Sequence, residues 1–94
     1  MIQSYRDKRT RDIAERRRVP AFQAIEKQAI RRLAFLDKAE SLQELMQLRG
    51  NRLESLGGNR AGQFSIRIDD QWRICFRWTP ENDGPFDVEI VDYH

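Results

Sequence analysis

The 94-residue chain is 39% hydrophobic and 34% charged, enough for one small core, so residues 1–94 are expected to form a single domain without a deep pocket. Its mean hydropathy of −0.78, the absence of a long apolar run and the polar start MIQSYRDKRTRD exclude a membrane span and lead to a cytoplasmic expectation. One cysteine, Cys75, and one histidine, His94, exclude an internal disulfide and a structural zinc site, so no metal or cofactor is expected.

The net charge of +2 conceals a division. Residues 1–60 hold 14 Lys and Arg against 8 Asp and Glu, or +6, and residues 61–94 hold 3 against 7, or −4. The basic half suits a polyanion such as nucleic acid, or else is a solvated helix surface.

Residues 5–18 are rich in helix formers but carry few apolar anchors, and predict a first helix. Pro20 suits the first turn of a second, in which Phe22, Ile25, Ala29, Leu33 and Leu36 recur at steps of three and four to about Lys38. The opposite face of that helix carries Lys27, Arg31 and Arg32. Ser41 and Glu44 have capping-box spacing, predicting a short third helix with Leu42, Leu45 and Met46 turned inward. After Gly50 the periodicity changes to two. Residues 51–56 predict a short first strand, although Leu53 and Leu56 are three apart. Phe64, Ile66 and Ile68 alternate with polar residues over 63–69. Trp72, Ile74, Phe76 and Trp78 do the same in the next strand, with a tight hairpin around Asp70 and Gln71. Phe86, Val88 and Ile90 define a last strand.

Helices followed by antiparallel strands describe an α+β domain, with two N-terminal helices on one face of a small sheet. If the apolar rows meet the helices, Arg67, Arg73 and Arg77 fall on the uncovered face, where fork-shaped guanidinium groups suit phosphate. The same pattern arises when such arginines simply pair with Asp69, Asp87 or Glu89. Cys75 is expected on that open face or at its margin, and the strand aromatics in the core.

The segments NRLESL (51–56), GNRAGQFSIRIDDQWRICFRW (58–78) and the terminal VEIVDYH resemble the HigB-type toxins of the RelE superfamily. The resemblance covers essentially the whole chain and is strongest from Asn51 onward. It implies a RelE-like fold and the toxin of a type II toxin–antitoxin pair: an endoribonuclease that cleaves translated messenger RNA on the ribosome. It also implies an antitoxin of HigA-like, helix-turn-helix type, through which alone the toxin would reach operator DNA. Metal-free cleavage by the ribose 2′-hydroxyl needs a base, an acid and positive charge at the phosphorane.

In that scheme Arg67 and Arg73 match the family's sheet arginines and hold the phosphate. Tyr93 and His94 match its terminal pair. His94, with an unperturbed pKa near neutrality, is the expected acid, with Asp92 favouring its protonated ring; a terminal histidine is otherwise often idle. Tyr93 is either a platform for a base or core packing. Glu54 is a possible base, or a partner for Arg52 or Arg73. Arg52, Arg60, Arg77, Arg31 and Arg32 complete the expected RNA-binding set, although Arg31 and Arg32, with the run Arg16, Arg17 and Arg18, fit a solvated face or an antitoxin interface equally well.

Three positions depart from the family pattern: Asp69 stands where asparagine is usual, Gly57 where lysine is often found, and Asn59 where aspartate is common. Asp69 is expected to bring a carboxylate to the phosphate site and, with the missing lysine, to weaken it. The alternative is therefore a catalytically weakened module that serves as antitoxin partner and co-repressor. A generic RNA-binding protein would need aromatics on the open face.

Overall fold

The computed structural model describes residues 1–92. Three helices precede a four-stranded antiparallel sheet: α1 (Lys8–Ala14), α2 (Glu26–Lys38), α3 (Leu42–Gln47), then β1 (Glu54–Ser55), β2 (Phe64–Arg67), β3 (Trp72–Arg77) and β4 (Phe86–Asp92) in spatial order β1-β2-β3-β4.

Helix α1 is shorter than residues 5–18. Asp7 caps it, accepting from the Thr10 N–H at 3.0 Å, and Arg16 stops it in the left-handed region at φ 66°. Upstream of the cap the chain is drawn to the sheet. Tyr5 forms a parallel bridge with Val88, and the Arg6 and Gln3 amides donate to the Val88 and Pro85 carbonyls at 2.9 and 2.8 Å. With so few apolar anchors in this segment, pairing along the outer side of β4 outweighs helix propagation, and it covers an exposed strand edge.

The expected second helix begins as a 310 turn over Pro20–Ile25 and continues as α2. Phe22, Ile25, Ala29, Leu33 and Leu36 are all buried, as the periodicity requires. In α3 the Ser41 hydroxyl accepts from the Glu44 N–H at 3.2 Å, and the Glu44 carboxylate reaches back to the Glu40 N–H at 2.9 Å. Leu45 is fully buried, but Met46 is 65% exposed, contrary to expectation. Adjacent residues on a helix point about 100° apart, and this single short turn presents only one of them to the core.

Ile66, Ile68, Ile74, Phe76, Val88 and Ile90 form the covered face of the sheet and join Ile13, Phe22, Ile25, Leu33 and Leu36 in one core. Trp72 meets Phe22 edge-on, with ring centroids 5.6 Å apart, at the margin of that core. Only two of the residues expected in the first strand pair, Glu54 with Ser65 and Ser55 with Phe64, since leucines three apart do not fit a period of two.

The arginine end of the sheet as candidate functional site

Register assembles the site. Arg67 pairs with Arg73, and Arg73 with Val91 on the next strand, so two guanidinium-bearing residues stand side by side on the face opposite the helices. Two residues along, Ser65, Cys75 and Glu89 make the next row across that face. Asp92, the last described residue, pairs with Trp72 at this same hairpin end, and its carboxylate accepts from the Gln71 side chain at 3.1 Å. Tyr93 and His94, the expected terminal pair, lie outside the described residues.

The face is not bare. Arg73 is only 7% exposed. Its Nε donates to the Ser65 hydroxyl at 2.8 Å, and its Nη2 donates to the Arg52 carbonyl at 2.6 Å and the Ser65 carbonyl at 3.4 Å. Its Nη1 stands 3.6 Å from the Glu54 carboxylate. The expectation of an open arginine fails here for a definable reason. Ser65 is too short to fill the space above the strand, and the turn carrying Arg52 folds into it.

Arg67 is more accessible, with 28% of its side chain exposed, and pairs with the fully exposed Asp70. The hydrogen bond and charge of Arg67 pull the Asp70 carboxyl below its usual range, with a smaller pull from Arg52, so the Arg52 charge also reaches this hairpin.

The other expected arginines are dispersed. Arg77 lies four residues from Arg73, roughly 13 Å along an extended strand, beside Asp87 at 3.9 Å. Arg60 donates to Gln63 at 3.0 Å and stands 3.5 Å from Glu89, which Arg6 approaches from the other side at 3.6 Å. Together these side chains roof the middle of the face. Cys75 beneath them is wholly buried, not open, and burial pushes its thiol pKa up. Arg31 is exposed on α2. Arg32 turns toward the protein, donating to the side chain of Asn51.

Asp69 also departs from expectation. Its Oδ1 accepts from the Gln71 and Trp72 amides at 2.9 and 2.8 Å, so the carboxylate closes the hairpin, an Asx-type role that asparagine fills as well. The carboxylate that pairs with the accessible arginine, Arg67, is Asp70. Its signal in the sequence is the three-residue spacing from Arg67 across a tight turn. Gly57 has an extended backbone, φ −119°, and open space around it. Among the described residues, no group of three or more His, Cys, Asp or Glu side chains is disposed to hold a metal ion.

A family model described as the RelE-like toxin of type II toxin-antitoxin system HigB matches residues 3–94. The chain belongs to the HigB-like toxins. Toxin HigB-1 of Vibrio cholerae serotype O1 is 42% identical to it over 55 residues, which are 58% of this chain. The match spans 58% of that relative's length as well, somewhat over half of it. The HigB-like assignment agrees with the α+β order of helices and sheet described above. No helix among the described residues is long and apolar enough to cross a membrane.

Proposed function

We propose that this HigB-like toxin is a ribosome-dependent endoribonuclease that cleaves translated messenger RNA by attack of a ribose 2′-hydroxyl on the adjacent phosphate. One observation carries the reading: Arg67 and Arg73 are register neighbours, with the Glu54 carboxylate 3.6 Å from Arg73, at the end of the sheet where β4 delivers Asp92. The reaction needs positive charge preorganised where the phosphorane develops, and a rigid sheet supplies it without reorganisation.

Arg67, the more exposed of the two, exchanges Asp70 for a phosphate oxygen. Arg73, locked beside it by its hydrogen bonds to Ser65 and Arg52, adds charge from a fixed position. Glu54, with its side chain 53% exposed, is open to a 2′-hydroxyl and serves as base. His94 is the acid that protonates the departing 5′-oxygen, and Tyr93 stacks a base. The partner that silences this chemistry is a HigA-like antitoxin with a helix-turn-helix domain, which carries the toxin to operator DNA, and the setting is the cytoplasm. Induction followed by mapping of transcript ends tests the proposal. New ends within translated regions, lost in Arg67→Ala, support it, and growth arrest without such ends rejects it.

The weakened-module reading has one observation in its favour, the Arg67–Asp70 ion pair, which occupies the accessible arginine. Under that reading the wild-type chain binds its antitoxin and leaves transcripts intact, while Asp70→Asn produces cleavage.

A further inference from the structure

We propose that Arg32 and Asn51 are positioning residues that hold the turn at residues 49–54, and with it Arg52 and Glu54, against the arginine end of the sheet. The inference rests on the nuclease reading for its functional consequence, but its structural basis is independent.

Asn51 is polar, yet it is fully buried. Both ends of its amide are used. Its Nδ2 donates to the Leu45 carbonyl at 3.1 Å, satisfying one of the unpaired carbonyls at the end of α3, and its Oδ1 accepts from Arg32 Nη1 on α2. Gly50 makes room for that contact. A Cβ there would meet Arg32 Nη2 at 3.3 Å, so the guanidinium lies close over the bare backbone.

The next residue, Arg52, sits in the left-handed region at φ 45°, ψ 57°, a conformation that non-glycine residues adopt only when their surroundings impose it. Those surroundings are visible on both sides. From the helices, Arg32 and Leu45 fix Asn51. From the sheet, Arg73 Nη2 donates to the Arg52 carbonyl at 2.6 Å. Between them the Asn51 and Arg52 amides close the turn onto the Leu48 and Arg49 carbonyls at 3.0 and 3.1 Å. Two residues beyond the strained position, Glu54 enters β1 and faces Arg73. A turn clamped in this way delivers the Arg52 charge and the Glu54 carboxylate at fixed places, which is what preorganisation of a site requires. Arg32 is therefore an indirect contributor and not a phosphate ligand.

Arg32→Met keeps the apolar stem and removes the donor and charge, and it separates the two roles. Amide exchange followed by NMR is expected to show Asn51 and Arg52 exchanging at least tenfold faster, with Ile66 and Ile74 in the sheet unchanged. In a translation extract with defined messages, turnover at saturation is expected to fall about tenfold with KM and its salt dependence unchanged. Unaltered exchange overturns the proposal, as does a raised KM with a flattened salt dependence and intact turnover, the signature of a lost phosphate contact. Asn51→Asp, which keeps the acceptor for Arg32 but loses the donor to Leu45, is expected to give an intermediate exchange rate. A wild-type protein that cuts no message refutes the nuclease reading, and the exchange measurement then decides the clamp alone.

Discussion

Replacing Arg73 by alanine should damage the fold, and the structure indicates by how much. The guanidinium makes at least three hydrogen bonds, to the Ser65 hydroxyl and the Ser65 and Arg52 carbonyls, from a position 7% exposed. Hydrogen bonds to charged groups contribute about 1.5–3 kcal/mol each and are not additive within one side chain. Breaking a buried ion pair costs about 3–5 kcal/mol, an upper bound here because Glu54 is half exposed and regains water. A loss of about 3 kcal/mol follows, which in a domain of this size lowers Tm by about 12–24 °C. Arg67→Ala should leave Tm nearly unchanged, since its partner Asp70 is fully exposed and is rehydrated at once. Thermal and urea unfolding followed by circular dichroism at pH 7 compares the two variants. An Arg73→Ala protein melting within about 3 °C of wild type would refute the reasoning. The contrast bears on function, because loss of toxicity in Arg73→Ala conflates catalysis with folding, whereas loss in Arg67→Ala does not.

Asp70→Asn releases Arg67 and is expected to tighten binding to single-stranded RNA, with the salt dependence steeper by about 0.7 in logarithmic slope, one phosphate contact; an unchanged slope would mean that Asp70 does not compete with RNA. Gly57→Lys places a cation where the backbone is unstrained and nothing lies within 4 Å, so melting should stay within about 2 °C of wild type while RNA affinity rises, and a large destabilisation would contradict the open geometry. Burial raises the Cys75 thiol above its ordinary 9.0. The stability this contributes is complete below pH 9 and declines as pH climbs from there through the folded value. Cys75→Ala should therefore lose less stability than wild type between pH 9 and 11 in urea titrations, and parallel losses would remove the thiol as the cause.

Much of the fold could be read from periodicity, and the exceptions share a cause. The α2 stripe and the alternation in β2, β3 and β4 were legible because burial imposes a period on each. The start of α1 was not, because whether Tyr5 continues a helix or pairs with Val88 depends on a strand edge more than 80 residues away. Periodicity does not decide between Leu45 and Met46, and Leu45 fills the position that α3 offers to the core.

At the site, alternation located Arg67 and Arg73 on one face, but their exposure depended on the turn at residues 49–52, whose left-handed Arg52 no sequence period announces. Asp69 and Asp70 are adjacent carboxylates. Only the hairpin geometry shows that the first closes the turn and the second meets the arginine. Asn51 gave a faint signal as a polar residue directly after Gly50, where the pattern changes from helical to alternating.

The central claim is that a ribose hydroxyl attacks a phosphate held at the Arg67 and Arg73 end of the sheet. Its most direct test uses purified toxin, programmed ribosomes and a message carrying one 2′-deoxynucleotide immediately 5′ of the mapped cut. The account predicts cleavage of the all-ribose message on the ribosome, and none at the substituted position or with Arg67→Ala. Cutting of the substituted message at an undiminished rate, or equal cutting of free message without ribosomes, would contradict it.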